Sequence, residues 1–193
     1  MRYRVLLSAF MMQMCLGATY SWSVYVQPIK SLTGLLQGPA QIPFTVFYFV
    51  FPAIMMVSGK ILDRLGPRTC AILGGVIFGS GWVAASLGQR HFVLTVTGVG
   101  IMGGIGVGLV APAYQSLISK VVPAHLRGTA FGLFSTSLGL VSLPAPYIGG
   151  LLWKGVSPQF PFAITAVVSL IAIIPVWLKF KLPKEEQPKT VGQ

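Results

Sequence analysis

Six apolar stretches follow one another along this chain, and short polar segments carrying nearly all the charge separate them. They cover roughly 5–26, 42–62, 69–87, 92–119, 129–152 and 160–178. No Asp, Glu, Lys or Arg falls in the middle of any of them. About 20 such residues suffice to cross the hydrocarbon core as a helix. An isolated span in lipid must satisfy its backbone internally, which a helix does. Charged residues make up 9% of the 193 positions, against about 25% in a soluble domain. The sequence therefore predicts an all-α membrane protein with six transmembrane helices and the lipid bilayer as its surroundings. The first stretch is too long for a cleaved leader and is read as a retained span.

The net charge of +11 raises the question of nucleic acid. The basic residues form no single stripe or arm, so no nucleic-acid partner is expected. They instead alternate in sidedness. The N-terminus, the segments after the second and fourth stretches, and the C-terminus hold eleven: Arg2, Arg4, Lys60, Arg64, Arg68, Lys120, Arg127, Lys179, Lys181, Lys184 and Lys189. The other side holds three: Lys30, Arg90 and Lys154. The positive-inside rule then places both termini in the cytoplasm of a multi-pass plasma-membrane protein. Positions 180–193 are charged and contain two prolines, and are expected to form a disordered cytoplasmic tail.

Little in the spans suggests chemistry. The three acids, Asp63, Glu185 and Glu186, lie outside them, whereas proton-driven pumps usually hold an ionisable relay within the membrane. No paired carboxylates, metal cluster or nucleophile–base pair is present, so neither an enzyme nor a cofactor is expected. Cys15 and Cys70 lie too far apart in depth to bridge. Gly98-Val99-Gly100-Ile101-Met102-Gly103 spells a dinucleotide fingerprint, yet it lies inside a span with no acid near it. Gly100, Gly104 and Gly108 read instead as a small-residue packing stripe. Gln13, Tyr20, Tyr48, Tyr114 and Gln115 are the candidate substrate path, since amides and phenols are costly against lipid. The span hydroxyls are expected mostly to bond back to their own helices. Tyr25, Trp82 and Trp153 lie near span ends and are expected as interface anchors. Pro52, Pro112, Pro144 and Pro146 are candidate points of helix bending.

One charged segment stands apart. Gly59-Lys60-Ile61-Leu62-Asp63-Arg64-Leu65-Gly66-Pro67-Arg68 joins the second and third stretches and holds the only acid before the tail. It resembles the signature of the major facilitator superfamily between its second and third helices: Gly, three residues, Asp-Arg, one residue, Gly, then basic residues. Gly59, Asp63, Arg64, Gly66 and Arg68 match, and Pro67 stands where a basic residue is commoner. With Gly17-Ala18-Thr19-Tyr20-Ser21-Trp22-Ser23, the first 90 or so residues are similar to the oxalate/formate antiporter branch.

The resemblance implies a membrane transporter of a small solute, with a carboxylate anion as the candidate, working by alternating access. It implies a fold of two three-helix repeats, inverted relative to each other, at 1–88 and 89–179. Gly59, Asp63, Arg64, Gly66 and Arg68 would then form a conformational latch. Helices four to six fit either the family's helices four to six or its closing three. A full carrier of this family has twelve helices, so a homodimer would supply two six-helix halves. A truncated or accessory half-carrier is the alternative.

Overall fold

The computed structural model describes residues 22–87, 91–142, 144–157 and 160–179. Among these the regular structure is helical throughout. Helix α1 spans Trp22–Thr33, and α2 is the short Gln37–Ala40. Helix α3 spans Ile42–Leu87. Helix α4, Phe92–Thr95, runs through a π-helical turn, Val96–Met102, into α5, Gly103–Val121. A 3₁₀ turn at Ala124–Leu126 leads to α6, Arg127–Ser142; α7, Pro144–Gly155, and α8, Phe160–Lys179, complete the order. Most of the expected first span lies outside the described residues. The helix at its end continues to Thr33, past the expected stop near position 26.

Forty-six helical residues would stretch about 69 Å, more than twice the roughly 30 Å of a hydrocarbon core. The chain solves this at one position. Gly66 is the only non-helical residue inside α3, at φ 79° and ψ 158°. Pro67 follows it, buried, as the first residue of the next arm, where its missing N–H costs nothing. The two arms, 42–65 and 67–87, run in opposite directions, as their contacts with the helix 92–121 reveal. Against the first arm, Gly100 meets Val46, Gly104 meets Val50 and Gly108 meets Ile54. Both numbers rise together, so this pair is parallel. Against the second arm, Gly106 meets Gly74 and Phe78, while Gly98 meets Gly81. One number rises as the other falls, so this pair is antiparallel.

Helix 92–121 is thus central, with one arm on each side. In lipid no hydrophobic force drives helices together; close van der Waals packing does, and small residues permit it. The expected stripe behaves this way. A methyl group at Gly100, Gly104 or Gly108 would come within 2.9, 2.9 and 2.8 Å of Val46, Val50 and Ile54.

The second arm also packs α8. A methyl group at Gly79 would lie 2.9 Å from Leu170, and Trp82 lies 5.6 Å from Phe162, ring centre to ring centre. Tyr25 of α1 meets Phe162 at 5.1 Å and abuts Gly149 of α7. Trp22, Tyr25, Phe78, Trp82 and Phe162 form a connected aromatic core. This corrects the expectation that Tyr25 and Trp82 anchor an interface: Trp82 is 1% exposed and Tyr25 3%. Their rings fill the space where α1, the second arm and α8 meet, and the packing outweighs any pull toward headgroups.

Three buried hydroxyls bond within their own helices. Ser58 donates to the Met55 carbonyl at 2.8 Å, Thr165 to Pro161 at 2.9 Å and Ser169 to Thr165 at 2.6 Å. These side chains are satisfied locally and need no partner across the bundle.

Candidate functional site

The charged signature does not form a loop. Residues 59–65 complete the last turns of the first arm, and the break is confined to Gly66. Its φ and ψ lie in a region that essentially only glycine enters. Gly66 is therefore demanded by the backbone itself. Gly59 differs. A methyl group there would meet nothing within 4 Å among the described residues, and the residue is exposed. Its small size serves no contact within the described part of this chain.

Asp63 follows Gly59 by four residues, so both lie on one side of the arm. Asp63, Lys60 and Arg64 are all exposed. No ion pair to Asp63 forms among the described residues. A helix C-terminus favours cations and disfavours an acid. Lys60 and Arg64 suit this position, and Asp63 does not. Going back along the same side, Met56 and Pro52 are also exposed, Met56 at 85%. The arm therefore presents a continuous open stripe, 52–56–59–63, opposite its seam with the central helix. Nothing in the sequence marks this stripe separately, because its apolar part resembles any lipid-facing surface.

The candidate path residues do not gather. Gln13 and Tyr20 lie outside the described residues. Tyr114 is buried at 3%, within the hydrophobic core. Its neighbour Gln115 is exposed, since adjacent helical residues point about 100° apart. The parallel seam fixes their depth. With 46 opposite 100 and 54 opposite 108, Gln115 is level with Ile61, beside the charged signature. Tyr48, 45% exposed, is level with position 102, about 20 Å away along the axis. Its ring stacks edge-on against Phe44 and Phe47.

The prolines divide into two groups. The helix continues through Pro52 and Pro112 with no non-helical residue at either. Pro144 and Pro146 fall in the first turn of α7, where backbone N–H groups have no intrahelical acceptor anyway. Cys70 is buried as a free thiol, and Cys15 lies outside the described residues. Among the described residues no group of three His, Cys, Asp or Glu side chains is placed to hold a metal.

The chain resembles known proteins over nearly its whole length. It is 27% identical to the oxalate:formate antiporter of Oxalobacter formigenes over 189 residues, which is 97% of this chain and 44% of the antiporter. It is 28% identical to the quinolone resistance protein NorA of Staphylococcus aureus over 117 residues, covering 61% of this chain and 29% of that protein. Among solved structures it superposes on the POT family transporter PepTSo with a TM-score of 0.78 at 20% identity, over 91% of this chain and 37% of that one. The chain thus spans less than half the length of each. The antiporter match fills almost the entire chain, so it passes from the first three helices to the last three without a gap the size of six helices. The family model of the Major Facilitator Superfamily matches residues 5–193. With its helical seams, its signature and that match, the chain belongs to the Major Facilitator Superfamily.

Proposed function

We propose that this chain forms one half of a carrier that moves a small carboxylate across the plasma membrane by alternating access, with both termini in the cytoplasm. Asp63 is the latch. In one access state it meets a cation on the other half, and in the opposite state it is released. The observation that carries this reading is the open face shared by Gly59 and Asp63, one helical turn apart and uncovered by any described residue. A glycine that serves no contact within the described chain, next to an acid poorly placed for its own helix, fits a face built to receive another helix. The two anions in the antiporter relative's name support the carboxylate class.

The arrangement of helices supports two three-helix repeats, 1–88 and 89–179. The helix 92–121 contacts both arms of α3, while α1 contacts α7 and α8. The last helix of each repeat, the second arm and α8, pack on each other. Exchanging the repeats maps each of these contacts onto another or onto itself. A second copy of this chain supplies the other half, giving a homodimer. Crosslinking in intact membranes tests this: a dimer is expected, and monomers alone overturn it.

Transport is tested in liposomes holding the purified chain, by exchange of labelled oxalate and formate. Saturable exchange is expected, and Asp63→Asn lowers it without loss of folded protein. Flux of a quinolone but not of carboxylates would move the substrate class toward that of the other relative. The absence of flux across a broad panel would favour an accessory half-carrier.

A further inference from the structure

The first arm of α3 exposes two stripes of different chemistry. Leu65 at its tip aside, its exposed residues form two sets. One is Ile42, Phe49, Ala53, Val57, Lys60 and Arg64; the other is Thr45, Tyr48, Pro52, Met56, Gly59 and Asp63. At about 100° per residue each set falls within about 80°, and the centres of the two lie about 90° apart. The second set carries the open face of Gly59 and Asp63. The first is a different surface. It is apolar for four positions, with Phe49 79% exposed, and then turns cationic.

The depth of that change matches a bilayer. Ile42 is the first residue of the helix, and Lys60 lies about 27 Å along the axis from it. The hydrocarbon core measures roughly 30 Å, so Lys60 reaches its edge. Arg64 lies about 6 Å further on, in the headgroup layer. Side chains four residues apart on a helix are neighbours, about 5–6 Å between Cβ atoms, so the two cations bracket one point at the level of the lipid phosphates. Both are exposed, and neither forms an ion pair among the described residues. Asp63 belongs to the other stripe, about 60° round from Lys60 and about 100° from Arg64. The second arm supplies a contrast. Its exposed residues are Thr69, Leu73, Val76, Val83 and Leu87, and at the signature end they include no cation.

We propose that the first stripe binds one anionic phospholipid. Lys60 and Arg64 hold its phosphate between them, and its acyl chains run along Val57, Ala53 and Phe49. Charge selects the headgroup: two unpaired cations favour a lipid of net negative charge over a zwitterionic one, which brings a cation of its own. The Arg64 guanidinium can take a phosphate through two parallel hydrogen bonds. Depth selects a lipid over a free anion, because its phosphate already lies at the level of Arg64 and its chains already line the apolar positions. The site depends on neither the transported solute nor a second copy of the chain, and it leaves the stripe of Gly59 and Asp63 open.

The test is thermal unfolding of the purified chain in detergent, with phosphatidylglycerol, phosphatidylcholine or inorganic phosphate added. Phosphatidylglycerol at ten times its dissociation constant should raise the melting temperature by about 3–6 °C. The other two should leave it unmoved. Lys60→Gln combined with Arg64→Gln should abolish the rise without lowering the starting melting temperature, since both side chains are exposed and unpaired. Lys120→Gln combined with Arg127→Gln removes two other exposed cations from the same end of the bundle and should keep the rise. The proposal is overturned if phosphatidylcholine stabilises as well as phosphatidylglycerol, or if inorganic phosphate reproduces the rise. It is equally overturned if the Lys60 and Arg64 variant retains the rise, or if the Lys120 and Arg127 variant loses it as fully.

Discussion

The two glycine-bearing regions of this molecule use the same residue for opposite purposes. Along the central helix each seam glycine is pressed against a neighbour, with Gly106 leaving only 2.6 Å between an added methyl group and Phe78. Along the signature, Gly59 has open space and Gly66 has open space, but Gly66 also has a backbone that other residues avoid. The first region holds the fold together. The second contains one glycine that shapes the turn and one that touches nothing among the described residues. Sequence position alone does not separate the three roles; contacts and φ do.

This contrast can be broken most severely in the seam. Gly98→Leu drives a branched side chain into the Gly81 backbone, and overpacking of this kind costs about 3 kcal/mol or more. Loss of the monodisperse peak in detergent is expected. A folded Gly98→Leu protein with unchanged melting would show that the seam is not rigid.

Gly66→Ala comes next. It leaves every contact intact but forces a Cβ into a glycine-only conformation, at a cost of about 1–3 kcal/mol. The melting temperature should fall although nothing is crowded.

Asp63→Asn keeps the size of an exposed side chain and removes its charge. The melting temperature should not move, while carboxylate exchange falls about tenfold, the equivalent of about 1.4 kcal/mol. Equal losses of stability and exchange would make Asp63 a structural residue and not a latch.

The smallest effect belongs to Gly59→Ala. Within a helix, alanine is favoured over glycine by up to about 1 kcal/mol, and here no neighbour opposes it. The variant should melt slightly higher than the parent and exchange more slowly. That combination would set Gly59 apart from every glycine in the seam.

Much of the fold is legible in the amino-acid order. The apolar stretches predict helices, and the interval Gly100–Gly104–Gly108 predicts a packing stripe; both follow from local spacing. The signature predicts a family. Less legible are the companions Gly74, Gly81, Gly98 and Gly106, because they come from two different helices and only the packed fold brings them together. Tyr114 and Gln115 look alike as polar residues in one span, yet the first is buried and the second exposed. Trp82 lies near a span end by count, and packing against Phe78 and against Phe162 of α8 turns it into core.

Composition and the spacing within single segments are enough to make this chain helical, to assign it to a bilayer and to join it to its family. They do not say which side of each helix meets a neighbour, or where along its length. That is settled by packing in three dimensions. In lipid the outer surface is as apolar as the inner one, so hydrophobicity does not mark the buried face. What marks it is fit: glycine against backbone and ring against ring.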